Sequence, residues 1–235
     1  MDARTEAQQL FLELLQNEAD IDGTMINVTN FFNSEYRLSV MKTLARPFVE
    51  KFKDSGASLI VTAPSSGLPL AHQVAEDLGV DTVFYPRKGI GKPKNLAYYE
   101  LCVHQIGSPT GGGESLYFRR DLLDRHKGEK ALIIDDFGLA GQTGNALYTE
   151  LALPHTMGNV ELKHGIKVAG IGILFDKGLG CLQELERTTG LDVFCLMELR
   201  KAIYANQDYS ILHFNDPRIS IKIKNQKTAV TNSRY

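Results

Sequence analysis

Residues 131–146 read ALIIDDFGLAGQTGNA, and the architecture turns on this stretch. Four apolar residues, Ala131 to Ile134, run into two adjacent aspartates, Asp135 and Asp136. Gly138, Gly141 and Gly144 then alternate with polar residues that include Gln142 and Thr143. The apolar run predicts a buried strand over 131–134 that ends on the acidic pair, with a helix over 142–153. Neighbouring like charges repel, and glycines cost backbone entropy. Something outside the strand must reward that combination.

The same theme recurs outward from it. Leu10, Phe11, Leu14 and Leu15 mark an opening helix, and Val40, Met41, Leu44, Ala45, Phe48, Val49 and Phe52 a second. Residues 59–62 predict a buried strand, followed by a Ser-Ser-Gly turn and a helix carrying Leu70, Ala71, Val74, Ala75 and Leu78 that Gly79 closes. Further strands are expected at 83–85, 168–175 and 192–197, with a helix at 181–189. Such alternation implies an α/β fold, a mostly parallel sheet flanked by helices. Ligands of such sheets bind beyond the carboxyl ends of the strands, where the loops 63–67, 86–94, 135–144 and 176–180 lie. Segment 86–128 reads as a flexible loop with one short strand near 116–118, and 107–115 and 155–166 as flexible insertions. Residues 219–235 offer an edge strand that then frays.

The 235 residues suit a single domain 1–235, with N-terminal helices over 1–54, a core over 55–214 and a tail over 215–235. A 43% apolar, 23% charged composition and a net charge of −2 argue against disorder and against nucleic acid as the main partner. No apolar run approaches bilayer length, and the N-terminus is acidic and amphipathic, unlike a signal peptide. Cys102, Cys181 and Cys195 are odd in number without C-x-x-C spacing, so they read as reduced thiols in a cytoplasmic protein.

A glycine-containing loop entering a helix offers unpaired N–H groups and the positive end of a dipole, which suit a phosphate. Ala140 to Gly144 are placed to provide them. The aspartates would repel that phosphate; their partners are hydroxyls or a metal ion. A ribose 5-phosphate presents a phosphate at one end and neighbouring hydroxyls a few ångströms away.

LIIDDFGLAGQTG resembles the signature that binds 5-phosphoribosyl 1-pyrophosphate (PRPP) in the type I phosphoribosyltransferases, and its Gly141-Gln142 is similar to the xanthine branch of that family. The link Gly138-Leu139-Ala140 departs from the usual pattern. Ser65-Ser66-Gly67 resembles the family's pyrophosphate loop, with Pro64 where that branch carries Glu, and Arg87-Lys88 its basic pair. INVTNFFNSEYRLSVM at 26–41 resembles the purine-pocket segment, and VAGIGILFDKGL at 168–179 the last core strand. The resemblance spans roughly residues 24 to 214, and breaks at 89–128 and 155–165.

The resemblance implies the type I phosphoribosyltransferase fold with a small hood, assigned to the N-terminal segment and to 104–118. It implies PRPP bound by Ser65, Ser66, Gly67, Leu139, Ala140, Gly141, Gln142 and Thr143. It places Ile26, Asn33, Phe137 and Lys177 at the purine, Lys177 donating to a carbonyl. Asp135 and Asp136 would hold the ribose hydroxyls, and Arg87 and Lys88 would assist the departing pyrophosphate. Magnesium would come mainly with PRPP, with Asp135 and Asp136 as its possible protein ligands. The implied activity is purine salvage on a 6-oxopurine, xanthine favoured, by a homodimer. A sister enzyme using hypoxanthine, guanine or adenine, and a non-catalytic PRPP-sensing regulator, stand as alternatives; no general base is identifiable.

Overall fold

The Asp2 carboxylate accepts the Thr5 backbone N–H at 2.9 Å and so opens the first helix, α1 (Ala3–Glu18). The computed structural model describes residues 2–22, 25–28, 31–32, 35–89, 103–106, 114–138, 141–157, 160–162, 164–204 and 209–224. A hairpin of β1 (Asp20–Asp22) and β2 (Met25–Asn27) follows, then α2 (Leu38–Phe52), β3 (Leu59–Val61), α3 (Leu68–Leu78) and β4 (Thr82–Phe84). Next come β5 (Arg87–Gly89), β6 (Val103–Ile106), β7 (Glu114–Tyr117) and α4 (Arg120–Arg125). The chain continues through β8 (Lys130–Gly138), α5 (Gln142–Ala152), β9 (His155–Met157) and β10 (Val160–Leu162). It closes with β11 (Lys167–Asp176), α6 (Cys181–Thr189), β12 (Val193–Tyr204), β13 (Tyr209–Phe214) and β14 (Ser220–Lys224).

Seven strands form the main sheet in the order β14-β13-β12-β11-β8-β3-β4. Pairing is parallel from β4 to β12 and antiparallel through β13 and β14. Successive residues of β8 serve opposite faces: Leu132 and Ile134 join one core with Phe11, Phe48 and Phe175, while Ala131 and Ile133 join another with Leu147, Leu185 and Phe118. A strand buried on both faces needs the continuous apolar run it has. Glycines make room where helices press hardest: a Cβ on Gly172 would lie 2.7 Å from the Phe48 ring.

Four expectations need correction. Strand β8 does not end at the acidic pair; its ladder with β11 continues through Ile173↔Asp135 and Phe175↔Phe137 to Asp176↔Gly138. Segment 86–128 is not one irregular loop, for β5, β7 and β6 form an antiparallel sheet and α4 follows it. Arg87 and Lys88 therefore lie on a strand, opposite Tyr117 and Leu116. Insertion 155–166 carries the β9–β10 hairpin. Strand β12 runs well beyond 197, pairing with β11 over 193–198 and with β13 over 199–204. The expected edge strand is β14. No helix among the described residues is long and apolar enough to cross a membrane.

Candidate active site

Where β3 ends, Thr62 and Ala63 lead into a turn at 64–67 that starts α3, and the Pro64–Ser65 peptide bond is cis. This turn sits directly on the acidic pair of β8. A Cβ on Gly67 would fall 2.3 Å from Thr62 Oγ1 and 2.7 Å from Asp135 Oδ1, so only glycine fits there. The Ser66 side chain lies near enough to Asp136 to favour its charged form. Ser66 and Gly67, expected at pyrophosphate, are thus brought against Asp135 and Asp136, expected at ribose.

Both aspartates are buried, Asp135 at 6% and Asp136 at 3% exposure. The Asp135 Oδ1 accepts the Asp136 backbone N–H at 3.1 Å. Burial pushes the Asp136 carboxyl above its usual range, because the charged form loses water. Ser66 and the neighbouring backbone oppose that only in part. One oxygen, Asp136 Oδ2, is buried without any hydrogen-bond partner. Orphaned acceptors of this kind are rare and costly in folded proteins.

The next residue of β8, Phe137, is half-buried and meets Phe32 and Phe175 edge to face, with centroids 5.8 and 6.0 Å apart. The Lys177 Nζ lies 4.7 Å from the Phe137 centroid, covering one face of the ring. Burial lowers the Lys177 pKa, and the Asp136 charge works the other way. Lys177 is aimed by its neighbours: its backbone N–H donates to Gly138, and Asp176 accepts from Gly178 at 2.8 Å and Leu182 at 3.4 Å. Asp176 therefore organises the turn before α6, a role that its place beside Lys177 did not reveal. Ile26 is buried in the same aromatic core, beside which Phe137 packs.

Gly141 caps α5 in the left-handed region at φ 73°, and a Cβ there would crowd the Cys181 carbonyl at 3.3 Å. Gln142 is exposed and Thr143 half-buried on the first turn, where helical N–H groups lack acceptors within the helix. Arg87 is exposed on β5. Asn33, Leu139, Ala140 and the Lys88 side chain lie outside the described residues. Among the described residues, no three or more His, Cys, Asp or Glu gather as a metal site. The orphaned Asp136 oxygen is nonetheless the hard donor that magnesium accepts, so the pair fits as part of a shell completed by substrate and water.

No family model matches the chain. It is 30% identical over 195 residues to a xanthine phosphoribosyltransferase of Listeria innocua, covering 81% of this chain and 92% of that one. A xanthine phosphoribosyltransferase of Streptococcus agalactiae is 25% identical, covering 85% of this chain and 99% of the other. Among solved structures, adenine phosphoribosyltransferase of Rhodothermus marinus superposes with a TM-score of 0.59 at 18% identity, covering 83% of this chain and 99% of that one. The enzyme of Trypanosoma brucei, solved with AMP, pyrophosphate and ribose-5-phosphate, gives 0.57 at 16% identity, with 83% and 79% covered. The sheet order, the turn seated on the acidic pair and the extent of the Listeria match converge: the chain belongs to the type I phosphoribosyltransferase family.

Proposed function

We propose that the chain transfers the 5-phosphoribosyl group from PRPP to a 6-oxopurine, with xanthine favoured, releasing pyrophosphate and a nucleoside monophosphate. One observation carries this reading: the buried, unpartnered Asp136 Oδ2 beside the 64–67 turn. A ribose hydroxyl donating to it would remove the penalty, so the site gains most from a ligand with a hydroxyl there. The amides of α5's first turn and the Thr143 hydroxyl would take the 5-phosphate. Ser65, Ser66 and Gly67 would bind pyrophosphate oxygens, with Arg87 and Lys88 neutralising the leaving group. Asp135 and Asp136 would hold the ribose hydroxyls, and either could stabilise positive charge developing on the ring. Magnesium, held mainly by PRPP, would offset negative charge on the pyrophosphate.

Base choice rests on Lys177, because an ammonium donates to a carbonyl and not to an exocyclic amine. That favours 6-oxopurines over adenine, although the solved structures described above are adenine enzymes; they share the fold. The curated relatives named for xanthine support that base within the class. A cytoplasmic homodimer belongs to the same proposal. The test is a spectrophotometric assay with PRPP and magnesium, offering xanthine, hypoxanthine, guanine and adenine in parallel. Turnover highest on xanthine, lost in the Asp135→Asn, Asp136→Asn double variant, is expected. Turnover highest on adenine would refute the role of Lys177.

A further inference from the structure

A second polar cluster lies on the far half of α5, buried at His164 and Glu150 and half-exposed at Asp124. His164 is 1% exposed, and so is Glu150 on α5. The His164 Nε2 lies 3.0 Å from Glu150 Oε1, and its Nδ1 2.9 Å from Asp124 Oδ1 on α4. A neutral imidazole has one donor and one acceptor, so only the imidazolium satisfies a carboxylate at each nitrogen. Just after His164 the connection is tied by backbone bonds, Gly128 N–H to the Gly165 carbonyl and Ile166 N–H to the Leu151 carbonyl. One residue therefore joins α5, α4 and the entry to β11.

Those partners matter because of where their elements lead. Glu150 is seven residues, two helical turns, beyond Thr143, and so lies on the same face of α5 as the first-turn hydroxyl. Helix α4 continues directly from β7 of the three-stranded sheet, and α5 packs against β6 of that sheet. We propose that His164, as an imidazolium, is a positioning residue that fixes α5 against α4 in the orientation PRPP binding requires. This rests on the PRPP reading above. The charged groups on the packed elements include Asp124 with Arg120, 3.6 Å apart, and Asp121 with Arg125, 4.0 Å apart, on α4, Glu150 on α5, Lys127 and the His126–Glu129 pair before β8, and Lys167 opening β11. The two carboxylates raise the His164 pKa against the opposing effect of burial. Loss of the proton turns one donor into an acceptor facing a carboxylate, and the clamp then opens as pH rises.

The test follows the His164 ring by NMR from pH 5.5 to 9.5 while PRPP KM and kcat are measured on the same wild-type protein and on His164→Gln. The ring is expected to titrate above the ordinary value of about 6.5. Wild-type KM for PRPP should rise about tenfold through that same pH, with kcat flat. The His164→Gln variant should show a raised KM without that inflection, whatever inflection PRPP itself contributes. A ring already neutral where KM is lowest, an inflection unchanged in the variant, or a fall in kcat alone would overturn the proposal. If His164→Gln does not fold, coincidence of the wild-type NMR and KM transitions decides. If no base is turned over, PRPP affinity by calorimetry replaces KM, so failure of the substrate reading is seen apart from failure of the clamp.

Discussion

The acidic pair of β8 and the His164–Glu150 pair are both buried, both charged and both reached by α5, yet they are resolved in opposite ways. At His164 each carboxylate facing the ring has a donor within 3.0 Å, and both ring nitrogens are used. At Asp136 one carboxylate oxygen has none. A complete buried network holds elements together, whereas an incomplete one spends stability on a place for something else. The difference separates a site from its support within one helix length.

The contrast is sharpened first by His164→Leu, the largest expected loss of stability. Removing the ring takes its buried, charge-assisted partner from Glu150, at a cost of about 3–5 kcal/mol. The His164 pKa is raised on folding, so its contribution is fully present below the unfolded value of about 6.5 and lost as pH rises through the folded value. Denaturant unfolding should therefore show a deficit that is larger at pH 6 than at pH 9.

Asp136→Asn should act in the reverse sense. Its raised folded pKa means that stability falls as pH climbs from about 3.9 through the folded value. The variant should melt higher than wild type at pH 7, with little difference at pH 3.5, while kcat drops about 10²–10³-fold. A variant both slow and unstable would make Asp136 part of the support instead.

Lys177→Met removes a cation whose charged form burial disfavours more than the Asp136 charge favours it, so a melting temperature equal to or above wild type is expected. Its kcat/KM for a 6-oxopurine should fall about 10–100-fold, the range for a charged hydrogen bond, with PRPP KM unchanged. Gly67→Ala forces a methyl against Thr62 and Asp135 and should cost about 1–3 kcal/mol in unfolding. The smallest effect belongs to Lys51→Met, which breaks a pair with exposed Asp192 at 2.6 Å and should change stability by less than about 1 kcal/mol.

Much of this was legible from local pattern. Apolar runs marked β3, β8 and β11, helical stripes marked α1 to α3, and Gly79 does cap α3 in the left-handed region at φ 70°. The end of β8 was missed because strand assignment followed hydrophobicity, while the ladder to β11 is made of backbone groups that ignore the Asp135 and Asp136 charges. The strands of 86–128 are only three or four residues long, below the length at which alternation announces itself. Lys177 and Phe137 were singled out separately, but their contact spans forty residues of chain and only the parallel β8–β11 register makes it. His164 gave no signal at all: its partners lie 14 and 40 residues away, and a lone histidine in an insertion has no spacing to read.

Whether the unpaired Asp136 oxygen is reserved for a ribose hydroxyl can be asked without any catalysis. Calorimetric titration of ribose 5-phosphate into wild type and into the Asp135→Asn, Asp136→Asn double variant at pH 7 poses the question directly. Binding to the wild type, weakened at least about tenfold in a folded double variant, is the predicted result. Equal affinity for both proteins would contradict it, because the acidic pair would then hold no part of the sugar.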